Sequence, residues 1–169
     1  MSSSKFDIVV YGATGFTGQL VAEYLAAHYK GDATLKWAMA GRSKDKLAAV
    51  RDAIGAPADT PLIVADASDP ASLKAMVGQT RSVISTVGPY LLYGSELLAA
   101  CVAAGTDYFD LCGEPIWMRQ VVSLSDHAPR FVEGVAIYLE RARIYGGLVV
   151  GELSHRGAES SFERISLKR

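Results

Sequence analysis

Gly12, Gly15 and Gly18 recur at equal intervals in the run Gly12-Ala13-Thr14-Gly15-Phe16-Thr17-Gly18, directly after the apolar segment Phe6 to Tyr11 and before a helix-patterned stretch. That placement restricts the fold more than any other feature of the chain. One glycine lets the backbone reverse tightly after a strand, a second lets main chain approach a phosphate with no Cβ in the way, and a third lets the next helix pack on the strand. The N–H groups of the helix start then face an anion. Glycine-rich loops are common between strands and helices, so the triplet carries weight only because a strand, a helix and further such units stand in register with it.

Those further units alternate. Val9, Val10 and their neighbours form a continuous apolar run, as expected of a strand covered on both faces. Leu20, Val21, Tyr24 and Leu25 recur at helical spacing and predict one apolar stripe lying on the sheet, with Gly31 ending the helix. Leu35 to Ala40 reads as the second strand, and Gly41-Arg42-Ser43 leads into a second helix with Ser43 as N-cap and Leu47, Val50 and Ile54 buried. Gly55-Ala56-Pro57 breaks that helix. Leu62 to Ala65 is the third strand, Asp69-Pro70 an N-cap followed by a first-turn proline, and Leu73, Met76 and Val77 mark the third helix. Ser82 to Val87 reads as the fourth strand, ended by Gly88-Pro89. Leu97, Leu98, Cys101 and Val102 supply the fourth helix, which Gly105 ends, and Thr106 to Cys112 the fifth strand, closed by Gly113-Glu114-Pro115.

Five strands joined by helices require right-handed crossovers and a parallel sheet. The expected architecture is therefore α/β, a Rossmann-type doubly wound parallel sheet of strand order 3-2-1-4-5, with ligand across the carboxyl ends where the order reverses. Residues 1–120 are assigned to this dinucleotide-binding domain and 121–169 to a divergent, unplaced C-terminal tail. Val132 to Ile144 is helix-patterned and Gly146-Gly147 follows it; completing the sheet and partial disorder both remain open for the tail.

A length of 169 residues suits one domain, and a hydrophobic share of 50% with 21% charged residues suits buried strands. A formal net charge of −1 with scattered Lys and Arg gives no footprint for nucleic acid. Cys101 and Cys112 are expected as buried thiols, and neither they nor the widely separated His28, His127 and His155 show metal-ligand spacing, so no metal is expected. Met1 to Lys5 leaves no room for a signal peptide, and no apolar stretch approaches the roughly 18 residues of a membrane span. A cytoplasmic location is expected, with peripheral membrane or lipid contact left open.

The candidate phosphate-binding turn comprises Gly12, Thr14, Gly15, Phe16, Thr17 and Gly18. An NAD site usually has a carboxylate at the end of the second strand, which takes both ribose hydroxyls and repels an extra phosphate. Here that position holds Gly41-Arg42-Ser43-Lys44; Asp32 sits in the turn before the strand, at the wrong end of the sheet. Arg42 is suited to clamp a 2′-phosphate and Ser43 to bond it, whereas cations at a helix start otherwise cost about 0.3 to 1 kcal/mol each. NADP(H) is thus preferred, with NAD(H) as the alternative. Asp66 is a candidate acceptor for the adenine amino group, with a loop or capping role competing. Thr86, Val87, Gly88 and Pro89 are expected beside the ribose and nicotinamide. Tyr90, Tyr93 and Glu114 are candidate substrate contacts against competing packing and loop roles. No tyrosine has a lysine four residues later, which argues against a short-chain dehydrogenase; no catalytic residue is assigned.

With these residues assembled, Asp7 to Gln120 resembles the saccharopine dehydrogenase-like oxidoreductases, including the mycobacterial trans-acting enoyl reductases. The resemblance rests on DIVVYGATGFTG, WAMAGRSKDKL, STVGPYLLYG and CVAAGTDYFDLCGEP, within a stretch of about two-thirds of the chain. It implies an NADP-linked reductase, in some members acting on lipid intermediates or associated with lipid droplets and membranes. Members of that family continue into a further helix and strand and then a separate substrate domain, a pattern not recognised in residues 121–169. The expectation is a cofactor-binding half that is truncated, diverted by a changed reading frame, or supplied with its substrate domain by another polypeptide; the expected partners are that chain or a second copy in a homo-oligomer. Two principal functions fit: an NADP-dependent oxidoreductase domain transferring hydride to an unknown substrate, such as an enoyl group in lipid or glycolipid metabolism, and a non-catalytic NADP(H)-binding redox sensor. A weaker third is a remnant that binds nothing well.

Overall fold

β1 (Phe6–Tyr11) lies at the centre of a five-stranded sheet, where Val9 and Val10 are fully buried on opposite faces and pack into separate apolar clusters. The computed structural model describes residues 4–32 and 34–125, with side chains described as far as Val121. α1 (Phe16–His28), β2 (Trp37–Gly41), α2 (Lys44–Ala53), β3 (Leu62–Val64), α3 (Pro70–Val77), β4 (Thr80–Ser85), α4 (Tyr90–Ala104), β5 (Asp107–Asp110) and α5 (Pro115–Ser125) follow in order. The sheet runs β3-β2-β1-β4-β5 and every pairing is parallel, with Val9 opposite Ala38 of β2 and Val83 of β4. This is the expected Rossmann-type order.

Local chemistry explains most boundaries. Ser43 caps α2 by accepting the Lys46 N–H at 3.3 Å, and Asp69 caps α3 by accepting the Ala71 N–H at 3.0 Å with Pro70 next in line. Gly105 closes α4 in the left-handed region at φ +67°. Asp32 is a turn residue, its carboxylate accepting the Thr34 N–H at 2.8 Å and hydroxyl at 2.6 Å. β4 stops at Ser85, two residues before the expected Val87, because its partner β1 ends at Tyr11 opposite Ser85 and the chain there turns at Gly12. β5 is shorter than expected at both ends: the Thr106 hydroxyl bonds the Val77 carbonyl at 3.1 Å, and the Cys112 N–H bonds the Asp110 carboxylate at 3.0 Å. β2 begins at Trp37 rather than Leu35, whose N–H bonds the Asp32 carbonyl in the preceding turn.

The expected stripe on α1 is corrected. Val21 and Leu25 do pack on the sheet, but Leu20 and Tyr24 are 50% and 53% exposed; the face that approaches the sheet carries Gly18, Ala22, Leu25 and Ala26. Small residues win this face because the helix starts so close to the glycine turn that a Cβ at Gly18 would overlap the Gly12 carbonyl. Val102 of α4, expected inside, is likewise exposed.

α5 packs against α4. Trp117 is fully buried; its ring lies over Gly94 of α4, where an added Cβ would sit 2.6 Å from the indole, and its Nε1 donates to Asp110 at 3.1 Å. Cys101 and Cys112 are buried free thiols, and His28 sits in the last turn of α1, stacked on Tyr24. Among the described residues no helix is long and apolar enough to cross a membrane and no cluster suits a metal ion. His127, His155, Val132 to Ile144 and Gly146-Gly147 lie outside the described residues.

Candidate functional site

The glycine turn is shaped from both sides. Gly12 adopts φ +89°, and a Cβ there would come within 2.6 Å of Thr86 Oγ1 and 2.7 Å of Val87 Cγ2. Gly15 turns back to donate its N–H to the Gly12 carbonyl at 2.9 Å and serves as the N-cap of α1. It contributes no side-chain cap and the first turn contains no acid. The N–H groups of that turn have no acceptor within the helix, so its partial positive charge is left uncompensated. Across the crevice the Thr86 hydroxyl donates towards the Tyr11 and Gly12 carbonyls at 3.1 and 3.2 Å, tying the end of β4 to the turn.

A cavity of about 430 Å³ opens at this point, where the strand order reverses between β1 and β4. The first loop contributes Tyr11, Gly12, Thr14 and Gly15; the end of β2 contributes Gly41 and Arg42; the loop after β3 contributes Asp66, Ala67 and Ser68. Thr86, Val87 and Gly88 line the far wall with Tyr93 from the first turn of α4. Nine of the residues singled out in the sequence thus converge on one cavity: Gly12, Thr14, Gly15, Arg42, Asp66, Thr86, Val87, Gly88 and Tyr93.

The others stand beside or beneath it. Phe16 and Thr17 begin α1, with the Phe16 side chain 83% exposed, while Gly18 is buried against the Gly12 carbonyl. Ser43 spends a lone pair on the α2 cap, which leaves its O–H proton free to be donated. Pro89 is the N-cap residue of α4. Tyr90 is buried, its hydroxyl donating to the Ser85 carbonyl at 3.0 Å, and the Glu114 carboxylate accepts the N–H groups of Tyr90 and Leu91 at 2.7 and 3.0 Å. Tyr11, Gly41, Ala67 and Ser68 escaped the sequence reading as cavity residues. A hydroxyl at the otherwise apolar end of β1, and the Asp66-x-Ser68 spacing, were the available signals for two of them.

The electrostatics divide the cavity. Hydrogen bonds from the Ser68 N–H at 2.8 Å and hydroxyl at 2.7 Å hold the Asp66 carboxyl below its usual range, assisted by the Arg42 charge. Arg42 is exposed and belongs to neither ion pair found among the described residues, Arg51–Asp52 and Arg81–Asp7. Burial, then Asp66, pushes the Tyr11 phenol up to about 12, opposed by Arg42. The side of the crevice at the ends of β2 and β3 therefore offers a guanidinium outside any ion pair among the described residues, a carboxylate and a neutral phenol, and the glycine turn offers backbone donors.

A family model described as the saccharopine dehydrogenase NADP binding domain matches residues 8–140. A Mycobacterium tuberculosis (strain H37Rv) protein named as a candidate trans-acting enoyl reductase is 55% identical over 121 residues, which are 71% of this chain and 28% of that protein. The Mycobacterium leprae trans-acting enoyl reductase is 49% identical over 136 residues, 80% of this chain and 32% of the relative. The chain thus spans about three-tenths of the length of these relatives. Among solved structures, apo saccharopine dehydrogenase (L-Glu forming) from Saccharomyces cerevisiae superposes with TM-score 0.57 at 16% identity, covering 82% of this chain and 30% of that one. A Rossmann-fold NAD(P)-binding family protein from Shigella flexneri gives 0.52 at 20% identity, covering 78% and 64%. At such identities the superpositions establish the fold alone.

Proposed function

This chain belongs to the saccharopine dehydrogenase NADP-binding domain family, and from that premise we propose that it is the coenzyme-holding part of an NADP-dependent oxidoreductase. The observation that carries the reading is that one cavity joins a capless, glycine-walled helix start to an unpaired arginine at the end of β2. The backbone around Gly12, Gly15 and the first turn of α1 receives the pyrophosphate, with Thr14 and Thr17 beside it. Arg42 forks onto the 2′-phosphate and the free Ser43 O–H supports it. Asp66 accepts from the adenine amino group. Thr86, Val87, Gly88 and Pro89 bound the nicotinamide end, where Tyr93 meets a substrate.

Bound there, the reduced nicotinamide supplies a hydride, and the protein contributes position and electrostatics. The relatives' names suggest an enoyl group as acceptor, in lipid metabolism. Groups that shape the acceptor's site are proposed to come from a substrate domain on the same or another polypeptide. On this reading the chain works in the cytoplasm, with any lipid contact on the substrate side.

Calorimetric titration with NADPH and NADH tests it directly. Micromolar binding of NADPH, at least tenfold tighter than NADH, is expected; a folded protein that takes up neither at millimolar levels overturns the proposal. A partner protein that the chain captures and that NADPH releases shifts the assignment to the redox sensor.

A further inference from the structure

Tyr11 is the last residue of β1, 2% exposed, and lines the cavity together with Asp66 and Arg42. Its main-chain carbonyl is engaged by Thr86, but no hydrogen bond among the described residues involves its phenol oxygen. The contrast with Tyr90, equally buried and bonded to the Ser85 carbonyl at 3.0 Å, is direct. The residue is buried but its hydroxyl is not sealed off from the cavity that it lines, so the cavity is the place from which a partner for it can come.

The neighbours specify the partner's chemistry. Both Ser68 hydrogen bonds to Asp66 end on Oδ1, which leaves Oδ2 as an acceptor. The Tyr11 phenol feels the Asp66 charge more strongly than that of Arg42. A phosphate dianion is repelled from a spot beside that carboxylate, whereas a neutral ring with its own donor and acceptor is not. Burial keeps the phenol protonated throughout the neutral range, so it is available as a donor.

Resting on the NADP(H) reading above, we propose that Tyr11 and Asp66 together read the base of the nucleotide and select adenine over hypoxanthine. The phenol O–H donates to ring nitrogen N1, and the free Asp66 oxygen accepts from the adjacent exocyclic amino group. Hypoxanthine inverts both positions: a carbonyl oxygen replaces the amino group and N1 carries a hydrogen. A site that must leave its polar groups mispaired discriminates more strongly than one that merely loses packing.

Titration of wild type, Tyr11→Phe and Asp66→Asn with NADPH and with its hypoxanthine analogue, deamino-NADPH, tests the pair. Wild type binds NADPH at least tenfold more tightly than the analogue. Tyr11→Phe loses about tenfold for NADPH and much less for the analogue, so the preference shrinks. Asp66→Asn keeps an acceptor for Ser68 and presents an amide donor to the analogue's carbonyl, which narrows or reverses the preference. This second variant decides the matter if Tyr11→Phe fails to fold. A wild type that binds both nucleotides equally, or variants that weaken both equally, overturns base reading while leaving NADP(H) binding intact. Absence of NADPH binding in wild type removes both.

Discussion

Glu114 grips the start of α4 from outside the helix: Oε1 accepts the Tyr90 N–H at 2.7 Å and Oε2 the Leu91 N–H at 3.0 Å. The residue before that helix is Pro89, which supplies no side-chain cap, so a carboxylate 24 positions on from Tyr90 does the capping. One loop is thereby tied to the helix that carries Tyr93 into the cavity.

Glu114→Ala is expected to lower stability by about 1 to 2 kcal/mol, the scale of a lost charged cap. Glu114→Gln, which retains one acceptor oxygen, is expected to lose less. Chemical denaturation of the three proteins measures this, and an alanine variant as stable as wild type rules the cap out as a stabilising contact.

Gly18→Ala places a Cβ on the Gly12 carbonyl and within 2.8 Å of Thr86 Oγ1. Neither neighbour is the loose end of a long side chain, so the helix start must move off the turn, at about 1 to 3 kcal/mol. Loss of nucleotide binding with a lowered melting temperature is the expected result. Unchanged binding shows that the turn tolerates a wider separation from α1 than its packing indicates.

Arg42→Ala is expected to weaken NADPH at least tenfold while leaving NADH nearly unaffected, because the lost contact goes to the 2′-phosphate alone. Raising the salt concentration weakens wild-type NADPH binding more than that of the variant. Equal losses for the two coenzymes in paired titrations assign Arg42 another role.

Asp110 supplies a pH prediction. Burial raises its carboxyl above the ordinary 3.8, although the Cys112 N–H and Trp117 Nε1 both donate to it. In the window above 3.8 the folded chain binds this proton more tightly than the unfolded chain, so this group's contribution to stability falls as pH rises through it. Asp110→Asn removes that slope and keeps an acceptor for one donor. Urea melts across pH 4 to about 7 should therefore show wild type losing stability relative to the variant as pH climbs. Parallel curves exclude a raised carboxyl.

Elements whose signal is carried by near neighbours were legible in the chain. Ser43 and Asp69 cap the helices they precede, β1 is apolar on both faces, and Gly105 ends α4 as a left-handed residue because only glycine takes that conformation without strain. Strands alternating with helices then imply the parallel sheet, and the doubly wound pattern implies its order with β1 at the centre. The α1 stripe failed for a reason of the same kind seen from the other side. Hydrophobicity nominated Leu20 and Tyr24, but the buried face carries Gly18, where the glycine turn leaves no room for a Cβ, with Ala22, Leu25 and Ala26, and Val21 packs beside them.

The amino-acid order by itself determined the alternating strands and helices and the glycine turn that enters α1, because caps, turn glycines and apolar runs act within a few residues. Tertiary structure alone decided that Tyr11, Arg42, Asp66 and Thr86 face one cavity and that Glu114 instead serves a helix end. Those relations join residues tens of positions apart, through strand register and helix approach, and side-chain volume and directed hydrogen bonds set them where hydrophobic periodicity is silent.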